Sequence, residues 1–430
     1  MVSFDSQDSV TPVPEAVELV YGLYPGVEFF SSDYGPDDHR EWVEQSNGDP
    51  VPAPLAVYIQ DVSQGHSPPV RGRDISSSRR PAAIEAELRL QAGLFDSDRT
   101  VQQLICSGAI ATEWTDDQLY ELVSVLQGFF TTLQNGLANW CACIGRVAPS
   151  ESRLRLLRVL GFTNVRLSIC EEGALRDARL DDVEALTAAA RRVGMRQMAI
   201  DLHLGSGAPS SRWLEDFMHR VRPDRLRLMD VGAAGGREAV RTLRDGGMQV
   251  LADMGYHHIG LDWFVRSEDA WWQARLAGRL NWSLLGFTDM PRPDVIGIGP
   301  GAVSSIGDFC SQNATAWDEY QQRLNRGLIP AVRGLALESD DVLRREIMVM
   351  MLTASRIDIG PIEDKWGIEF QEFFAPELDD LKRYEQAGWA SVTSQAIAVH
   401  ARGRSELTEL CRIFDRRGRT PRDAYAPSFA

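Results

Sequence analysis

The run "AIDLHLG" sets Asp201 and His203 two positions apart on a strand-like segment, so both side chains project from the same face near its C-terminal end. A carboxylate beside an imidazole can orient or polarise it, which is the arrangement that proton transfer needs. The plain alternative is a hydrogen-bonded pair in a barrel wall with no chemistry. "ICEEGALRD" places Glu171, Glu172 and Arg176 just past another strand, where opposite charges could hold a zwitterionic ligand; a solvated loop has the same composition. "GYHHIGLDWFVR" offers His257 and His258, but neighbours on a strand face opposite sides and cannot easily share a metal. "GIGPGAVSSIGDFCSQN" carries Gly297, Gly299 and Gly301 after an apolar run. A dinucleotide fingerprint belongs at the first strand–helix turn, with an acid about 20 residues on. This stretch follows six strand-like runs, so a structural or substrate-facing turn is the better reading. The six cysteines form no C-x2-C or C-x3-C pair, and only Cys141 and Cys143 are close. Local zinc or iron–sulfur ligation is not signalled, and most of these thiols read as small buried hydrophobes.

The elements that must position these residues alternate. "PLAVYIQ", "VQQLICSG", "GLANWCACI", "NVRLSIC", "RQMAIDLHLG" and "RLRLMDV" read as strands. Helical patterns such as "DDQLYELVSVLQGFF", "DDVEALTAAARRVG" and "SRWLEDFMHRV" separate them. Strand–helix alternation implies a parallel sheet, doubly wound or rolled into a barrel. The long irregular segment "QDVSQGHSPPVRGRDISSSRRPAAI" follows the first strand, where such proteins place ligand chemistry. Residues 1–50 read as an arm and 51–310 as the α/β body. Residues 311–430 read as a mostly helical domain with a small hairpin in "WASVTSQAIAVHARGR".

Composition bounds the partners. The formal net charge is −16, and no block of basic residues is interleaved with aromatics. Nucleic acid and anionic membranes are therefore poor partners, since both need concentrated positive charge. No apolar run approaches the roughly 18–20 residues that span a bilayer. The first residues lack a basic and then greasy signal segment, so the expectation is a cytoplasmic protein acting on a small molecule, with its oligomeric state open.

Long matches carry a family resemblance: "LGFTNVRLSIC", "ARRVGMRQMAIDLHLG", "GYHHIGLDWFVR", "IGIGPGAVSSIGDFCSQN", "GLALESDDVLRREIM", "RIDIGPIEDKWGIEF" and "LCRIFDRRG". Together with "YPGVEFF" and "DYG" in the arm, they resemble the oxygen-independent coproporphyrinogen III dehydrogenases, radical S-adenosylmethionine (SAM) enzymes, over nearly the whole chain. The resemblance implies an α/β fold, an incomplete (β/α)6 radical-SAM-like barrel with a C-terminal mostly helical domain. It also makes the Gly-rich stretch a turn near the SAM cavity.

The departures matter as much. The family's C-x3-C-x2-C cluster motif should follow "AVYI", and the matching positions are Val62, His66 and Pro69, none of them a thiolate. The family's G-G-G-T-P motif aligns with "CSGAIATEW", which keeps only Gly108, and its third-strand acid is missing beside Cys141 and Cys143. The resemblance leaves Arg176 for a SAM carboxylate, Glu172 for the ribose and Asp201 in the SAM pocket. It puts His203 where the family is usually apolar. An iron–sulfur cluster is therefore expected to be absent, and the sequence names no metal ligands. The expectation is a repurposed enzyme of bacterial specialised metabolism that binds SAM without reducing it and carries out methyl or aminocarboxypropyl transfer or a cyclisation. His203 is its base, Asp201 is the base's orienter or a ligand contact, and Arg176, Glu172, Asp201 and Gly108 hold the cofactor. Two other readings stand beside it: a tetrapyrrole- or haem-binding pseudoenzyme with His66 as axial ligand, and a SAM-independent acid–base enzyme whose tryptophans pack a bulky substrate.

Overall fold

The structure is a computed structural model. It describes residues 24–61, 79–108, 110–132, 139–144, 149–170, 177–204, 210–230 and 236–419. Six parallel strands follow one another in chain order: β1 (Leu55–Asp61), β2 (Thr100–Gly108), β4 (Asn139–Ile144), β5 (Asn164–Cys170), β6 (Gln197–Leu204) and β7 (Arg225–Asp230). A two-residue strand, β3 (Thr131–Thr132), pairs with the start of β2. Helices lie between the strands, as parallel neighbours require a crossover. The strand β6 shows why the segment folds this way. Met198, Ile200, Leu202 and Leu204 all belong to the main hydrophobic core, while Ala199, Asp201 and His203 alternate with them on the other face. Each fully buried aliphatic side chain contributes about 1.5–3 kcal/mol, so the outward set fixes the register and the inward set is free to be polar.

The sheet continues past both ends of this array. On the β7 side it is closed off by a hairpin of β8 (Tyr256–Gly260) and β9 (Trp263–Arg266), with β9 antiparallel to β7. A separate small hairpin, β10 (Asn281–Ser283) with β11 (Gly286–Thr288), follows. On the other side, β12 (Asp294–Ile298) pairs in parallel with β1, and β13 (Val303–Ile306), β14 (Phe309–Asn313) and β15 (Ala331–Ala336) run antiparallel beyond it. β12 is a seventh parallel strand, built from the apolar lead of the Gly-rich stretch. It arrives by a long excursion through β8–β11 rather than by a strand–helix repeat, so its parallel pairing left no periodic trace. Among the described residues no pairing joins β15 to β8, and the barrel is incomplete. Helices follow from Ser339, around a small antiparallel sheet of β16 (Arg356–Asp358), β17 (Ala390–Val392) and β18 (Ala396–Val399). The hairpin expected in this region is β17–β18. None of the described helices is long and apolar enough to cross a membrane.

The Gly-rich turn after β12 is held by an internal carboxylate. Glu87 lies fully buried on the helix Arg79–Ala92 and accepts hydrogen bonds from Gly299 N (2.7 Å), Asn313 Nδ2 (2.6 Å) and the Tyr320 hydroxyl (2.5 Å). Gly299 has φ +113°, and a Cβ there would meet the Gln60 carbonyl oxygen at 2.0 Å, so only glycine lets the turn close over β1. This backbone amide could have cradled a phosphate; it is committed to the protein's own anion. Burial pushes the Glu87 carboxyl up to about 7 against its three donors.

Removing the carboxylate in Glu87→Ala strands those donors, and we expect a loss of about 3 kcal/mol in urea unfolding. Because the folded-state value is raised, the native state binds the extra proton. The Glu87 contribution to stability therefore declines as pH rises from 4.5 to about 7. Unfolding midpoints across that range should fall in the wild type relative to Glu87→Gln; parallel profiles would refute the assignment.

Candidate active site

Strand pairing decides which side chains share the lumen. In parallel register Gln103 stands beside Asn139, Cys141 beside Asn164, and Ala199 beside Arg225. Cys143 and Arg166 stand level with Ala199 and Arg225, and one layer higher, towards the strand C-termini, Ser168, Asp201 and Arg227 follow across β5, β6 and β7. His203 is one layer higher again, level with Cys170 and Met229. The lumen is thus polar from bottom to top, and its charges are paired. Arg166 donates through Nε to Asp201 Oδ2 at 2.6 Å and through Nη2 to Oδ1 at 3.4 Å. Arg225 forms a two-point pair with Asp269, at 2.9 and 3.0 Å. Asp269 also accepts from Gln197 Nε2 (2.9 Å) and caps the helix Ala270–Leu276 through Trp271 N (2.8 Å).

Two tryptophans complete the wall. The Arg166 and Arg227 guanidiniums lie 5.1 and 5.2 Å from the centre of the Trp263 ring, and the Arg225 guanidinium lies 3.4 Å from that of Trp271. Trp263 and Trp271 meet edge to face at 5.2 Å. Such stacking is worth about 0.5–2 kcal/mol each and holds a cation in a place where water is scarce. Burial lowers the Arg225 value, Asp269 opposing it. The Cys141 thiol is held below its ordinary value, first by a hydrogen bond with Cys143 and then by the Arg166 and Arg225 charges, against desolvation.

Asp201 and His203 share the lumen face, as their spacing requires, and both are buried. Asp201 is engaged with Arg166, a partner that sequence spacing did not show, since it comes from the neighbouring strand. Gly108 ends β2 opposite Asp61. Asp61 is buried at the tip of β1, where it accepts from Trp114 Nε1 (2.7 Å) and Arg80 Nη1 (3.1 Å). Glu172 and Arg176 lie outside the described residues, as do Val62, His66 and Pro69. His257 stacks on Trp272 and His258 on Phe264, on opposite faces of β8. Burial drives His258 down to about 3, so it stays neutral. Among the described residues no three His, Cys, Asp or Glu side chains converge in a way that could hold a metal ion. Sequence reasoning missed Glu87, Asp61, Arg166 and Asp269; the one available signal for Arg166 was an arginine on the inward face of "NVRLSIC".

The fold has a solved counterpart. The structure of coproporphyrinogen III oxidase (HemN) from Escherichia coli, a radical SAM enzyme, superposes with a TM-score of 0.77 at 25% identity, over 93% of this chain and 98% of that one. The chain is HemN-like. It is 26% identical to the oxygen-independent coproporphyrinogen III oxidase of Pseudomonas aeruginosa, with 92% of each chain covered. It is 27% identical to that of Escherichia coli K12, again over 92% of each. No family model matches it. The HemN-like fold accounts for the incomplete barrel and for the helical part after Ser339, and the relatives it matches are enzymes.

Breaking the lumen pair should be costly. Arg166→Ala leaves a buried carboxylate without its main partner, and we expect about 3–5 kcal/mol of destabilisation. The double variant Arg166→Ala/Asp201→Ala should recover part of it, and a double-mutant cycle in guanidinium unfolding would show no coupling if the pair were incidental.

Proposed function

We propose that this HemN-like protein is an enzyme repurposed for non-radical chemistry, binding SAM at the C-terminal end of the barrel. The observation that carries the reading is the lumen itself. A buried His203 stands one layer above an Asp201 fixed by Arg166, in a chain whose cluster positions are Val62, His66 and Pro69. These residues do not fit an iron–sulfur cluster, because one imidazole cannot replace three thiolates. They do fit a zwitterionic ligand. Asp201, with its carboxylate held rigid, can accept from an ammonium or hydroxyl group. Gly108 ends β2 opposite Asp61, and Arg176 and Glu172 belong to the segment just after β5. When bound, SAM supplies a carbon made electrophilic by the adjacent sulfonium, so positioning and a base are enough for methyl or aminocarboxypropyl transfer.

The chain's own part is to place and to deprotonate. His203 takes the proton from the substrate's attacking atom at a ring nitrogen. The Arg166–Asp201 pair keeps the strand face rigid below it. The surrounding aliphatic wall of Leu202, Leu204 and Leu228 packs outward and keeps β6 from shifting.

Calorimetric titration of SAM into the purified protein tests this. We expect micromolar binding, weakened at least tenfold in Asp201→Asn and in Arg176→Ala, and kept in His203→Asn. Absence of binding in the folded wild type would sink the reading.

A further inference from the structure

Cys141 and Cys143 stand two positions apart on β4, whose alternate residues Trp140, Ala142 and Ile144 belong to the outer core, so both thiols face the lumen. Both are free and only partly buried, whereas Cys106, Cys310 and Cys411 are buried. The two meet. The Cys143 thiol donates a hydrogen bond to the Cys141 sulfur, the largest cause of the lowered Cys141 value. The Arg166 and Arg225 charges act in the same direction, although both guanidiniums are paired with carboxylates, while burial and Asp201 oppose them. A thiolate is therefore favoured at this point of the lumen, with a second sulfur within its reach.

Geometry decides what such a pair can do. Residues two apart on an extended strand have α-carbons about 6.6 Å apart, at the far end of the roughly 4.4–6.8 Å that a disulfide spans. One atom placed between the sulfurs removes that constraint. Zinc would want four ligands, and among the described residues no third His, Cys, Asp or Glu side chain joins the two thiols. Cys106 lies level with Ala142 in the outer core, and Cys170 stands two layers above Cys143, level with His203. What remains is an ion content with two soft ligands, and thiolates select Cu(I). The approach suits a cation. Cys141 lines an inner cavity of about 60 Å³, which shares Asn139, Asn164, Gln197 and Arg225 with a wider one of about 360 Å³ at the strand N-termini. The wall of the wider cavity carries four carboxylates, Asp224, Glu268, Asp269 and Asp289, against three guanidiniums, so a cation is not turned away.

We infer that Cys141 and Cys143 form a two-coordinate site for a soft monovalent metal ion of the Cu(I) class, entered from the N-terminal mouth of the barrel. Each thiol releases its proton as its sulfur–metal bond forms, and no electron is transferred. Two thiolates and one monovalent cation leave a single negative charge, which the Arg166 and Arg225 charges offset. The site is independent of SAM, of His203 and of the segment after β1.

Cu(I), supplied without oxygen to the reduced full-length protein in competition with the chelator bicinchoninate, tests this. We expect one Cu(I) to be held per chain. Its affinity should fall about a hundredfold or more in Cys141→Ser and in Cys143→Ser, and stay unchanged in Cys106→Ala and Cys170→Ala. X-ray absorption at the copper edge of the wild type should show two sulfur neighbours. Bound Cu(I) should shield Cys141 and Cys143 from iodoacetamide, read by peptide mass spectrometry. Loss of the ion to the chelator, three or more sulfur neighbours, or shielding at other cysteines instead overturns the assignment. The absorption and shielding measurements need no variant, so they stand even if a substitution fails to fold. SAM calorimetry on copper-free protein separates this result from the reading of the upper site.

Discussion

Three guanidinium groups stand inside this barrel, and the rest of the lumen is organised by how their charge is compensated. A lone buried cation would cost several kcal/mol, so each is given a flat aromatic face, a carboxylate, or both. Arg166 has Asp201 and Trp263; Arg225 has Asp269 and Trp271; Arg227 shares the Trp263 face. These contacts reinforce one strand pairing and tie in an element that strand pairing does not reach. The pair Arg166–Asp201 ties β5 to β6, and Asp269 ties β7 to the start of the helix Ala270–Leu276. The polar interior is thus also a set of cross-braces, and it could not be replaced piecemeal by aliphatic residues.

The same logic governs the Gly-rich turn. A backbone amide turned toward the interior needs an acceptor, and in a phosphate-binding protein the ligand would supply it. Here Glu87 does, together with bonds from Asn313 and Tyr320 that fasten β14 and the helix Trp317–Asn325 to the barrel. An internal anion fixes the geometry with nothing bound. The N-terminal arm is tied down in a comparable way. His39 bridges Ser311 and Gln91, and burial lowers it to about 4, so it serves as a neutral linker across this pH range.

The six strand–helix units were legible because two periods were superimposed on them: outward aliphatic residues at every second strand position, and amphipathic helices between. The two inward residues of β6 were legible for the same reason, since their spacing puts Asp201 and His203 on one face, opposite Ile200, Leu202 and Leu204. The Arg166 partner was not, because pairing across strands depends on register, and nothing in "NVRLSIC" says which residue of "AIDLHLG" will stand beside it. Glu87 was hidden differently. A glutamate on a helix reads as solvated, and only the close approach of the β12 turn shows that it is enclosed.

By itself the sequence determined the alternation of strands and helices and the inward placement of Asp201 and His203. It did so because chain periodicity and residue chemistry are local properties. Tertiary structure decided the rest: that β12 joins the barrel as a seventh parallel strand, that Asp201 is fixed by Arg166, that Glu87 answers the Gly299 amide, and that three arginines and two tryptophans enclose one space. Those facts depend on register and on which distant segments meet, and spacing along a chain does not encode either until the core outside the barrel has fixed how the strands lie.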